Sequence, residues 1–69
     1  LPADHWQTSI YMAVLGQTLT PRGRLAEAES LLRASLANFR RQFGDSDGRT
    51  RKAQQFLNAW QTRKTARQS

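Results

Sequence analysis

The chain has no cysteine, one histidine, two prolines and only five acidic residues in 69. Without cysteine there is neither a disulfide nor a thiolate metal site, and His5 has no second imidazole with which to share a metal ion. The lack of thiols suits a reducing compartment, so a cytoplasmic location is the expectation. Long apolar runs are also missing. The longest, Ile10 to Leu15, has six residues against the roughly 20 that a membrane-spanning helix needs, and no membrane partner is expected. The opening Leu1-Pro2-Ala3-Asp4 has no initiator Met and no signal-peptide core, and it reads as the edge of a piece of a longer protein. Nothing alternates with period two over a useful length, which argues against strands. What remains is one small domain, residues 1–69, near the size at which a core just holds a fold without staples.

Punctuation divides that domain into three helices. The first, about residues 4–20, opens at Asp4, a good N-cap, with Gln7 three residues on as in a capping box. Its Trp6, Ile10, Tyr11, Met12, Ala13, Val14, Leu15 and Leu19 cover most of the circumference, so it calls for neighbours on more than one side. Thr20-Pro21-Arg22-Gly23 ends it, since proline cannot continue a helix interior and glycine closes one readily. The second helix, about 25–43, carries Leu25, Ala28, Leu32, Ser35, Leu36, Phe39 and Phe43 at three- and four-residue steps. Glu27 and Glu29 are expected in its first turn and Arg40 and Arg41 in its last, matching the helix dipole. Gly44-Asp45-Ser46-Asp47-Gly48 is a loop by composition. Asp47 can cap a third helix, about 48–64, with the narrow stripe Ala53, Phe56, Leu57 and Trp60; residues 65–69 are expected to fray.

Charge is lopsided. Eleven basic residues against five acidic ones give a net charge of +6. Arg49, Arg51, Lys52, Arg63, Lys64 and Arg67 crowd the last third, which holds no acid at all. Such a balance admits nucleic acid as a partner. Trp6, Tyr11 and Trp60 beside these cations could serve as stacking platforms, although aromatics at helical spacing more often belong to a core. Net charge alone does not make a nucleic-acid site, and a solvated surface is the plainer account.

Catalytic constellations are missing. Ser9 lies one helical turn from His5, but no acid is placed to orient the pair, and His5 reads as a solvent-facing residue. Glu27 and Glu29 point to different helix faces and do not form a carboxylate pair. No glycine-rich phosphate loop is present. The loop from Gly44 to Gly48 lacks the twelfth-position Glu of a calcium site. The expectation is a chain that is not an enzyme and needs no cofactor.

One pattern is left, and it is the informative one. Leu15-Gly16, Leu19, Gly23, Leu25, Ala28, Leu32, Ser35 and Leu36 resemble one tetratricopeptide repeat, and Gly23-Arg24-Leu25-Ala26-Glu27-Ala28-Glu29 is especially typical. Gly16 and Ala28 would face one another, because antiparallel helices approach closely only where side chains are small. The loop from Phe43 to Thr50 resembles the longer-period variant of kinesin light chains and many bacterial multidomain proteins. Leu57 follows Leu15 by 42 residues and Thr50 follows Thr8 by the same 42. Departures are Asn58, where a second repeat has its glycine, and Gly48 in place of a usual proline.

The resemblance implies an all-α fold: a helical hairpin, one tetratricopeptide-like repeat, followed by a third, capping helix. It also implies a protein–protein interaction scaffold, whose groove would use Ala13 and Gln17 from the first helix and Lys52, Gln55 and Ala59 from the third. Only Lys52 fits the carboxylate clamp of some relatives, so no clamp is expected. The partner would be a protein or peptide, or a second copy in a weak homodimer anchored by Trp6 and Ile10. The alternative is a basic helical module for nucleic acid. Repeats of this variant often sit behind serine/threonine kinase, winged-helix or nucleotide-switch domains, so a parent protein could carry a separate catalytic domain.

Overall fold

The computed structural model describes the backbone of residues 6–68 and the side chains of residues 7–67. It contains three helices and, among the described residues, no strand: α1 (Trp6–Leu19), α2 (Leu25–Phe43) and α3 (Gly48–Gln68). The expected cap at Asp4, His5 and the side chain of Trp6 lie outside the described residues. The all-α architecture, a helical hairpin with a third helix laid on it, matches the expectation from the punctuation.

Each boundary has a local cause. Past Leu19 the chain turns through Pro21, and Gly23 takes φ +82°, a left-handed value that side chains disfavour. The N–H groups of Arg22 and Arg24 both bond the Leu19 carbonyl, which closes α1. No side chain caps α2; Arg24 instead gives its carbonyl to the Ala28 N–H and pairs with Glu27 across the first turn at 2.6 Å. Glu29 falls outside that first turn, being the fifth helical residue, and pairs with Arg33 at 2.8 Å. At α3 the Asp47 carboxylate accepts the Arg49 N–H at 2.8 Å, an N-cap in the position expected.

The hairpin closes around Gly16. A Cβ placed there would lie 2.7 Å from Leu32 Cγ and 3.2 Å from the Ala28 carbonyl oxygen. Glycine therefore sets how near α1 comes to α2, with Ala28 fully buried opposite. Leu19, Ala28, Leu32 and Trp60 form one cluster, and Leu36, Phe39 and Ala53 form a second, with Leu57 packed on both. Fully burying a side chain such as Leu32 contributes about 1.5–3 kcal/mol.

α3 is longer than its composition suggests. Residues 65–68, expected to fray, are helical, because the last turns are tied back to the hairpin. Arg63 donates to the Pro21 carbonyl at 3.1 Å and Arg67 to the Gly23 carbonyl at 2.9 Å. Trp60 is buried to 2% exposure and donates its indole N–H to the Leu25 carbonyl at 2.8 Å. Trp60 thus packs as core and offers no stacking surface.

The three helices form an open layer. α1 and α3 both pack on α2 and meet one another only lightly. The Cα envelope measures 38 × 24 × 12 Å, and the radius of gyration is 11.8 Å. A closely packed domain of this length would have about 11 Å. The α1–α3 side of the layer is therefore a cleft.

Candidate binding cleft between the first and third helices

On α1, Ile10 and Ala13 stand three residues apart and share a face. On α3, Arg49, Lys52, Ala53 and Phe56 follow the same three- and four-residue spacing. These six residues, with Phe39 of α2 between them, line a recess of about 200 Å³. Its wall is almost wholly apolar, and its chemistry is that of a socket for one aliphatic or aromatic side chain.

Cations rim the socket, and aromatic rings hold them. Lys52 Nζ lies 5.8 Å from the Phe56 ring centroid. The Arg49 guanidinium sits 3.7 Å above the Phe43 ring and donates to both Asp47 oxygens, at 3.0 and 3.1 Å. A cation over a ring face is attracted by the ring quadrupole. The side-chain hydrogen bond from Arg49, helped by its backbone N–H, lowers the Asp47 pKa below the usual carboxylate value. Partial desolvation opposes it weakly. The same bond raises the Arg49 pKa.

Of the groove residues expected from the sequence, Ala13 and Lys52 come together in this recess, and Ile10, expected as a self-association anchor, joins them. Gln17 and Ala59 are exposed and do not line it. Gln55 is exposed too, but it lines a different hollow with Arg40, Asp45, Thr50, Arg51 and Gln54. The rotation of α3 about its axis turns that residue away from α1. Phe39, Arg49, Ala53 and Phe56 are cleft residues that the sequence did not mark out. Phe56 had a signal, since it follows Lys52 by one helical turn.

The other residues singled out in the sequence have structural places. Ser9 is fully buried, so its hydroxyl cannot meet a substrate. Tyr11 is 68% exposed on the outer side of α1. Among the described residues, no three His, Cys, Asp or Glu side chains gather to hold a metal ion, and no helix is long and apolar enough to cross a membrane.

At the other end of the cleft, the α1–α2 turn and the last turns of α3 enclose an open recess of about 420 Å³. Its lining is Pro21, Arg22, Gly23, Arg63, Ala66 and Arg67. The Arg63 bond to Pro21 spans 42 residues, the spacing that also relates Leu15 to Leu57 and Thr8 to Thr50. α1 and α3 each pack on α2 as successive hairpins and so run parallel to one another. No protein-family model matches the chain, and comparison with curated proteins and with solved structures finds no match.

Proposed function

We propose that this chain is a tetratricopeptide-type interaction scaffold, without catalysis of its own, that takes a peptide or partner helix in the cleft between α1 and α3. The observation that carries the proposal is the apolar socket formed by Ile10, Ala13 and Phe56 between two parallel helices, on the face where the family resemblance puts a groove. The open layer supports it further. A closed three-helix bundle would bring all three helix pairs into similar contact. A cytoplasmic setting and a bacterial multidomain parent belong to the same proposal and rest on the resemblance and on the lack of thiols.

Nucleic acid is the competing partner, favoured by an acid-free last third. It is weakened by the burial of Trp60, which removes the aromatic that basic α3 would use for stacking.

The test is a peptide-display selection followed by NMR mapping on isotope-labelled protein. Selected peptides should shift the resonances of Ile10, Ala13, Lys52 and Phe56, and the exposed-residue variant Ile10→Asp should lose them. Peptides that map to the opposite face would sink the proposal. So would oligonucleotide binding that falls steeply with salt while no peptide binds.

A further inference from the structure

Two arginines four residues apart on one helix face repel each other, and Arg63 and Arg67 have that spacing. The structure brings a third, Arg22, to the same recess, and among the described residues no carboxylate lines it. Among the described residues, none of the three forms an ion pair, whereas Arg24, Arg33, Arg40 and Arg49 all do. Two of the three are also held in place. Arg63 and Arg67 each give one bond to a turn carbonyl, out of five donors that a guanidinium carries. Three gathered cations with most donors unspent are a pre-organised receptor for negative charge.

Position says what kind of anion. Because α1 and α3 run parallel, the arginine recess and the apolar socket are the two ends of one cleft. On α3, Phe56 and Arg63 are seven residues apart, and Lys52 and Arg67 are fifteen. At about 1.5 Å rise per residue these separations are about 10 and 22 Å. An extended chain covers that distance in about three to seven residues. A nucleic-acid strand would meet cations along the cleft, but a base placed in the almost wholly apolar socket would leave its polar edges without hydrogen-bond partners. A peptide has both groups.

We propose that the Arg22–Arg63–Arg67 recess is the anion subsite of the cleft, and that the partner is an acidic peptide segment: one bulky apolar side chain in the socket and, about five residues along, a pair of Asp or Glu carboxylates on the three guanidiniums. This rests on the peptide-binding proposal above and adds the partner's chemistry and spacing. A second copy of this chain is the wrong occupant. It carries +6, and its acids are only five.

The experiment uses fluorescein-labelled Gly/Ser peptides carrying one Leu, with a Glu-Glu pair placed one, three, five or seven residues away on either side. Gln-Gln versions are the controls, and fluorescence polarisation is read at low and high salt. The Glu-Glu peptide of intermediate spacing should bind roughly ten- to a hundredfold tighter than its Gln-Gln control. The advantage should shrink with salt. Arg63→Gln/Arg67→Gln should remove the advantage of each Glu-Glu peptide over its Gln-Gln control. Because those two arginines also hold the turn, Arg22→Gln serves as the second variant, with circular dichroism as the fold check, and should remove part of it. Leu-containing peptides that bind equally with Glu-Glu, Gln-Gln or any spacing overturn the anion subsite and leave the socket standing. Loss of all peptide binding, with or without acid, overturns both. An oligonucleotide that outcompetes every peptide assigns the arginines to phosphate instead and also overturns the proposal.

Discussion

Ala28 and Ala26 are two residues apart on α2 and have opposite surroundings. Ala28 has no exposed surface and sits where Gly16 lets the helices meet, while Ala26 is exposed. Ala28→Leu must push α1 away from α2, and overpacking of that kind costs about 1–3 kcal/mol. In so small a domain this lowers Tm by about 4–20 °C, whereas Ala26→Leu should leave it within a few degrees. Equal thermal melts for the two variants would mean the hairpin register is wrong. Asp47 makes a second residue-scale prediction. Its folded pKa is depressed by the bonds from Arg49, so its contribution is complete above the ordinary carboxylate pKa and disappears as pH falls through the depressed value. Tm should therefore drop on the acid side. Asp47→Asn keeps an oxygen for the Arg49 N–H and should flatten that acid slope. An unchanged slope would show that Asp47 has no part in it.

At the scale of elements, the third helix shows how a distant contact overrides a local tendency. Residues 65–68 are helical although their composition is that of a fraying tail. The cause is the pair of bonds from Arg63 and Arg67 to the α1–α2 turn. Arg67→Ala should therefore unwind the last turn of α3 without lowering Tm by more than a few degrees, because the bond is exposed. Backbone chemical shifts of residues 65–68 moving to coil values would meet the expectation. Shifts that stay helical would mean that the tail holds itself. The hairpin itself depends on burial and not on these ties, since Trp60 reaches the Leu25 carbonyl from inside the first core cluster.

The whole molecule leaves apolar surface uncovered. Ile10, Tyr11 and Val14 of α1 are 37%, 68% and 50% exposed. A repeat unit cannot bury its own apolar face, and stable arrays stack about three repeats. A second copy can cover the patch, and the two-fold dimer is the commonest such arrangement. Each copy carries +6, so the two repel and association should be weak and strengthened by salt. Sedimentation at high micromolar concentration should show a monomer–dimer equilibrium that shifts to dimer with added salt and is lost in Ile10→Asp. A monomer at all salt concentrations would refute it. Trp6, the other expected anchor, precedes the described side chains, so Ile10 bears the test. Because Ile10 also lines the socket, an acidic peptide should compete with dimer formation.

Some of this was written in the chain itself. The breaks at Pro21–Gly23 and Gly44–Gly48, the buried stripe of α2 and the cap at Asp47 follow from backbone chemistry and side-chain size within a few residues, and the close approach of Gly16 to Ala28 from the smallness of both across one hairpin. Ala13 and Lys52, which line the socket, could be marked by the resemblance to a repeat. Arg49 and Ala53 could not, because whether they face α1 depends on how far α3 is rotated about its own axis, and that is set by packing on α2; Phe39 of α2 lines the socket only because both helices leave a gap above it. Trp60 ends the narrow stripe of α3, and its spacing admits either a core place or an exposed one; its burial beside the Leu25 carbonyl, 35 residues away, decides for the core. The full length of α3 and the gathering of Arg22, Arg63 and Arg67 have the same origin. The acceptors of Arg63 and Arg67 lie 42 and 44 residues back along the chain. Local patterns determine where helices begin and end, but partners brought together only by folding decide which ends hold and which side chains meet.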